Sequence, residues 1–421
     1  MTPKTERRLL SRLDMTAIGV NAIVGSSIFI FPGRLAALLG PASIAAFALT
    51  AFILAPVALC FAAAASTRTR AGGPALYAQE SFGPLAGFCV GWLCWVTEIV
   101  SWAAVATGLA AYAVPFWPGL AAPSAAKIVA ALSILILAGI NLFGAKPGAR
   151  VSTALTAAKL LPLLAIAFAG VPLWLRASPT ALTPFAPHGW RALPQACFLA
   201  YFAFQGFEVV PVPAGEAREP GRDAPFAVLL SLLSAAALYT LVQAAALAAV
   251  PGLAGSQRPL AEAGRALFGA RGESLVALGA VVSMAGFTAG CALGGPRYLV
   301  ALGAEGHLPR VFARGAARTG APVAAILVTA AAALAASVLL DFDRLIDFGN
   351  VVIGAQYLAT CASVLSDRRL GAAIPLAGIA ATLWLSAQGG WGQIAAAGAC
   401  LGVGLLLRAA LRTIDGLKRI G

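Results

Sequence analysis

The sequence predicts an all-α integral membrane protein with twelve transmembrane helices, the first and sixth of them broken part-way across the bilayer. Composition is the first reason: of 421 residues 60% are hydrophobic and only 11% charged, far from the balance of a soluble domain. Recurrence is the second. Apolar runs of spanning length follow one another from Met15 almost to the end, and twelve runs of roughly 20 residues use more than half the chain. The third is that two runs, Gly19 to Gly33 and Leu193 to Ala214, are interrupted near their midpoints by small and polar residues.

The first interruption is Gly25-Ser26-Ser27. In hydrocarbon every backbone N–H and C=O needs a partner, so a helix breaks at mid-depth only where the freed groups face protein, a cavity or a ligand. A half-helix starting at Ile28 presents unpaired N–H groups and the positive end of its dipole to the membrane centre. An anionic group such as a substrate carboxylate can dock there.

Charge sets the orientation. The formal net charge is +13, and with a cytoplasmic N-terminus 20 of the 29 Lys and Arg fall inside, 8 outside, and Lys159 within a span. That is the positive-inside pattern; the basic face interleaved with exposed aromatics that a nucleic-acid partner requires is missing. Lys4, Arg7, Arg8 and Arg12 precede the first run like the start of a signal peptide, but the run is too long and has no small-residue cleavage site, so it is read as retained.

Taken in order, Gly40-Pro41 turns the chain into a second span, Ala42 to Ala65, rich in small residues that let helices approach closely. Arg68 and Arg70 fix the inner side. Arg70 to Pro84 mixes glycines and prolines around an amphipathic middle and should lie along the inner face. The third span, Leu85 to Val114, carries Glu98 half-way and ends at the interfacial Pro115, Trp117 and Pro118. Ile128 to Phe143 is the fourth, closed by the breaker-rich Gly144 to Gly148; Val151 to Trp174, with Lys159, is the fifth. An outer loop with Pro179, Pro184, Pro187 and Trp190 leads to the sixth, where Gly206 sits as Gly25 does in the first. Five spans separate the two starts, so the second half enters from the opposite side: an inverted repeat, whose paired interrupted spans mark a transporter's site. Six more runs follow, Ala227–Val250, Leu275–Leu302, Pro322–Leu340, Leu345–Leu365, Gly371–Ala387 and Trp391–Leu411, with a helical outer segment at Pro259 to Gly269. The last two are expected to carry no intramembrane charge and to stand outside a ten-span core.

With these residues in view, the chain resembles the amino acid-polyamine-organocation superfamily of permeases over nearly its whole length. Gly25-Ser26-Ser27-Ile28-Phe29 is similar to the family's first-span Gly-Ser-Gly-Ile-Phe. The loop from Gly72-Gly73-Pro74 to Phe82-Gly83-Pro84, the stretch Phe202 to Glu208, the run Gly215-Glu216 to Pro220 and Arg222, and Pro296-Arg297 to Gly306-His307-Leu308-Pro309 are also similar to family signatures. The resemblance implies a five-plus-five inverted-repeat (LeuT-like) core. Residues 1–14 would then be a cytoplasmic segment, 15–174 the first repeat, 175–192 an extracellular loop, 193–365 the second repeat, and 366–421 two peripheral helices and a cytoplasmic tail. It further implies a substrate carboxylate on Ser26 and Ser27, its ammonium on the carbonyls of Ile23, Phe202 and Gln205, pocket-lining positions at Gly25, Thr97, Glu98 and Gly206, and an aromatic gate at Phe202, which otherwise packs or faces lipid. Ser27 departs from the family's glycine: its hydroxyl either adds a donor or narrows the pocket.

An ionisable group at mid-span costs about 2.5–3.5 kcal/mol on insertion scales, so Lys159, Glu98 and Glu208 each need a reason. The resemblance puts Lys159 where sodium-coupled relatives hold an ion. A fixed ammonium there replaces sodium, and Lys159 is either the carrier of a coupling proton or a permanently charged strut suited to an exchanger. Glu98 meets a cationic side chain or the substrate amine, pairs with Lys159, or is a buried, helix-bonded carboxyl. Glu208 bonds the unwound backbone after the second break or transfers protons.

All seven cysteines fall in predicted spans without metal-ligand spacing, and His188 and His307 in loops on opposite sides, which argues against a metal site. No Ser, His and Asp set and no phosphate loop stands near a membrane face, so an enzyme is not expected, and no cofactor is implied. The expectation is a sodium-independent secondary transporter of L-amino acids in the cell membrane, both termini cytoplasmic, working as a proton symporter or as an exchanger. The rival is a sensor or assembly subunit that binds without moving substrate. Lipid surrounds the chain; oligomeric state is open.

Overall fold

The structure, a computed structural model, describes residues 10–68, 70, 72–114, 116–144, 146–176, 184–367 and 370–417. The orienting residues Lys4, Arg7, Arg8, Arg368, Arg369, Lys418 and Arg419, and the turn residues Pro115, Ala145 and Pro179, lie outside them. Among the described residues the protein is helical, its sole β-type contact a parallel bridge between Leu10 and Ala217. The α-helices are α1 (Arg12–Ile23), α2 (Ser27–Leu39), α3 (Ile44–Thr67), α4 (Gly73–Phe82), α5 (Pro84–Ala113), α6 (Pro123–Leu142), α7 (Lys146–Arg176), α8 (Leu193–Phe204), α9 (Pro220–Ala249), α10 (Pro259–Ala304), α11 (Val323–Leu339), α12 (Phe342–Asp367), α13 (Ala373–Ala387) and α14 (Gly390–Leu417).

Eight helical segments among the described residues are long and apolar enough to cross a membrane, with Ser27–Thr67 taken as one and α10 taken across a kink at Gly269. There the backbone is non-helical (φ 73°) and separates an outer segment from the span. Helices α11 and α13 are apolar but shorter. Two of the four spans short of twelve are the interrupted runs, whose α1 and α8 have 12 residues each; the other two are the uninterrupted α11 and α13, of 17 and 15 residues, below the roughly 20 a span needs. Beyond the second interruption the structure also departs from the expected half-helix. Residues 207–209 and 214–216 form single 3-10 turns, since Pro211 and Pro213 have no N–H to propagate an α-helix.

Contacts divide the chain into two compact units. The first, Met1–Gly87, Leu161–Val276 and Gln356–Gln388, holds both interrupted stretches. Here α9 packs on α1 and α3. The approach to α1 is close because of Gly19, where a Cβ would come within 2.1 Å of Ser231 Oγ. At the start of α1, Ser11 and Asp14 form a capping box, and the Ser11 hydroxyl holds the Asp14 carboxyl below its usual range. Gly378 of α13 lies against Pro56 and Val57 of α3, so this peripheral helix is seated on the first unit.

At the far end of α3, Arg68 is almost enclosed. It reaches Asp367 Oδ2 at 2.9 Å and Glu80 Oε2 at 3.4 Å, donates to Ser81 Oγ at 2.9 Å, and lies over the Tyr77 ring. One guanidinium thereby ties α4 and the end of α12 to α3. Its partners are a third exposed, which screens the pairs, so Arg68→Ala is expected to cost about 1–3 kcal/mol. A lowered thermal midpoint of the detergent-solubilised protein, partly restored by Arg68→Lys, checks this, because lysine keeps the charge but loses the planar fork.

The second unit comprises Phe88–Leu160, Ala277–Ala355 and Gly389–Gly421. In it α6 packs on α11, Trp95 Nε1 donates to Thr329 Oγ1 at 3.0 Å, and Trp92 Nε1 donates to the Cys400 carbonyl of α14 at 3.0 Å. The expectation that the last spans carry no charge fails at Arg408. This residue lies inside the apolar stretch Gly390–Leu411 and is buried. Its Nε donates to His307 Nδ1 at 3.2 Å, and its guanidinium stacks on the Phe88 ring. The charge is accommodated at the helix end because an imidazole nitrogen and an aromatic face take it up.

Candidate functional site

In the first unit α1 stops at Ile23 and α2 starts at Ser27, with residues 24–26 non-helical. Val24 N–H still bonds Val20 O at 2.9 Å, but Gly25 N–H turns back to Ile23 O at 2.8 Å, and the first bond of α2 runs from Phe29 N–H to Ser26 O at 3.0 Å. The N–H groups of Ser26, Ser27 and Ile28 therefore stand ahead of the helical ladder, at the positive end of α2. Ser26 is buried, and its hydroxyl has no hydrogen-bond partner. A buried hydroxyl without a partner costs about 1–3 kcal/mol, a cost that a ligand acceptor removes.

The second interruption lies at Gln205 and Gly206, where Gln205 is extended (ψ 139°) and Gly206 has φ 131°. The two breaks meet. A Cβ on Gly206 would stand 2.5 Å from Ala22 C and from Ile23 N, so only a glycine lets the second break lie on the end of α1. Glu208 folds back beneath: both carboxylate oxygens accept from Gly206 N–H, at 2.9 and 2.8 Å, and Tyr357 Oη donates to Oε2 at 2.9 Å. Phe61 and Phe207 flank Tyr357. Phe202 is buried, its ring centroid 6.1 Å from that of Phe31.

Ile23, Gly25, Ser26, Ser27, Phe202, Gln205, Gly206 and Glu208 thus belong to one unit, around one junction. Two details differ from expectation. Ile23 O already accepts from Gly25 N–H and, at 2.8 Å, from Tyr239 Oη; with both lone pairs engaged it is not an open acceptor for an ammonium. Helix α2 also begins one residue earlier than Ile28. Thr97, Glu98 and Lys159 are part of the second unit. Thr97 Oγ1 donates to Leu93 O in its own helix at 2.9 Å. The Glu98 carboxyl lies within 4 Å of where a Gly294 Cβ would stand, and its Cβ 3.4 Å from that of Gly295, both ordinary contact distances, so Glu98 packs against this glycine pair. Lys159 is buried, 2% exposed. Sequence reasoning missed Tyr239 and Tyr357, although a mid-span phenol is itself a signal, since its hydroxyl must find a partner.

Residues 10–398 match the family model described as amino acid permease. The chain is 30% identical to an uncharacterized transporter of Mycobacterium tuberculosis, over 96% of this chain and 91% of that one. It is 29% identical to the branched-chain amino acid permease BcaP of Bacillus subtilis, over 73% and 69%. It is also 29% identical to cationic amino acid transporter 4 of Homo sapiens, over 85% of this chain but 60% of the human protein's length; the mouse counterpart is likewise covered over 60%. A match spanning almost the whole chain, on a helical protein with membrane-length apolar helices, leads to one assignment: the chain belongs to the amino acid permease family of the amino acid-polyamine-organocation superfamily.

Proposed function

We propose that the chain is a sodium-independent secondary active transporter of L-amino acids, a proton symporter working by alternating access. Ten of its twelve spans form a five-plus-five inverted repeat (15–174 and 193–365), two more are peripheral (366–421), and the chain lies in the cell membrane with both termini cytoplasmic. The observation that carries the reading is the unpartnered, buried Ser26 hydroxyl at the start of α2, beside three N–H groups ahead of the ladder. The substrate carboxylate takes these donors, and its ammonium takes the carbonyls of Phe202 and Gln205.

Lys159 supplies the coupling. A buried ammonium at mid-span is costly, and in this reading it replaces a sodium ion and releases its proton during the cycle. The buried Phe31 and Phe202 rings favour a neutral, apolar substrate side chain, in keeping with the branched-chain name of one relative. The cationic name of another, with Glu98 as counter-charge, supports the second substrate reading.

Proteoliposomes with and without internal amino acid test this. Uptake driven by an inward proton gradient, indifferent to sodium and lost in Lys159→Ala, is expected. A need for internal substrate with no response to the gradient would make the chain an exchanger and Lys159 a strut; sodium-dependent uptake, or binding without flux, would overturn the proposal. Ser26→Ala should raise KM roughly tenfold or more, the worth of a hydrogen bond to a charged group.

A further inference from the structure

Two polar side chains of α9 reach the interrupted first span, and neither has a part in the transport cycle proposed above. Tyr239 Oη donates to Ile23 O, the last residue of α1, at 2.8 Å. Gln243 Nε2 donates to Pro32 O of α2 at 3.2 Å and to Ser43 Oγ, in the turn after α2, at 2.8 Å. Both side chains are fully buried. Four residues apart, they share one face of α9, about 6 Å apart along its axis. One therefore holds the half-helix before the break, the other the half-helix after it. Phe47 and Phe204 pack on the Tyr239 ring, centroids 5.3 and 5.5 Å away, which fixes where the hydroxyl points.

We propose that Tyr239 and Gln243 are positioning residues, and that α9 is a splint whose two side-chain bonds fix the gap between α1 and α2. Left to itself, the stretch 23–28 has every backbone reason to wind into continuous helix, because in hydrocarbon that would pair the N–H groups the break leaves over. Tyr239 opposes this by taking the Ile23 carbonyl alongside Gly25 N–H, a pairing that an uninterrupted ladder from Ser27 N–H to Ile23 O would displace. Gln243 holds α2 one turn further along α9, so the two halves cannot slide together. Neither residue is assigned a bond to substrate, although the Ser27 hydroxyl bonds Tyr239, and the reach between Ser26 and the carbonyls of the second break depends on both. The inference rests on the substrate site assigned above.

Uptake kinetics and equilibrium binding of an L-amino acid by the full chain, with Tyr239→Phe, Gln243→Met, their combination and Ser26→Ala, test it. Tyr239→Phe and Gln243→Met should each raise KM and the dissociation constant about three- to tenfold, the worth of one buried hydrogen bond, with kcat within about twofold on the same scale. The combined variant should fall short of the product of the two, since a splint released at one end holds nothing at the other. A role confined to packing would lower the thermal midpoint of the unliganded protein and leave KM untouched. That outcome, with Ser26→Ala still raising KM, overturns the splint and spares the site. Should Ser26→Ala leave KM unchanged as well, the site reading fails and the splint with it. Loss of one oxygen in Tyr239→Phe preserves the ring packing, so folded protein is expected for the measurement.

Discussion

Gly206→Ala is expected to abolish uptake, by at least about a hundredfold, while the protein still inserts in the membrane. Two independent costs coincide at this position. At φ 131° any L side chain is strained by about 1–3 kcal/mol. The added Cβ would also meet Ala22 C and Ile23 N at 2.5 Å and Ala22 O at 2.7 Å. Those atoms are backbone and have no rotamer to move to, so relief requires the second break to withdraw from the end of α1. The strain falls on the contact that brings the proposed carboxylate donors and ammonium acceptors within reach of one zwitterion. Gly252 provides the control. It too has positive φ, 76°, but nothing lies within 4 Å of its Cβ position, so Gly252→Ala should transport within about threefold of the parent. Equal loss in both variants would show that backbone strain alone, not contact between the breaks, accounts for the effect.

The site was legible where the sequence breaks its own pattern. Gly25-Ser26-Ser27 and Gln205-Gly206 stand out because apolar helices leave no reason for such residues at mid-run, and both interrupt helices in the structure. Pairings between distant segments were not legible. Nothing in the sequence says that Tyr239, more than two hundred positions on, caps the carbonyl of Ile23, or that Tyr357 meets Glu208; those contacts follow from how α9 and α12 pack. Arg408 was misjudged for a related reason: a charge in an apolar run is read by its neighbours in sequence, whereas its cost is settled by His307 and Phe88, about a hundred and three hundred positions away. The missing half-helix after Gly206 is a different failure. Pro211 and Pro213 were in plain view, and local chemistry outweighed the symmetry with the first span.

Glu208→Ala should be the most damaging single truncation at the junction, costing uptake about a hundredfold or more and lowering the thermal midpoint. The carboxylate is 7% exposed. It accepts from Gly206 N–H through both oxygens and from Tyr357 Oη, so truncation leaves two buried donors without an acceptor, at about 1–3 kcal/mol each. Gly206 N–H is freed only because the chain is unwound there, and Glu208 is what makes that unwinding affordable. Glu208→Gln separates this role from proton transfer: the amide oxygen still accepts from Gly206, and Tyr357 Oη can rotate to accept from the new NH2. A structural carboxylate predicts that Glu208→Gln keeps both exchange and gradient-driven uptake within about tenfold, and that Tyr357→Phe and Glu208→Ala are strongly non-additive. A proton carrier predicts that Glu208→Gln keeps exchange and loses the response to the gradient. The crowding of donors around one carboxylate favours the first outcome, because its bonds to Gly206 N–H and Tyr357 Oη tie the unwound turn to α12 whether or not a proton moves.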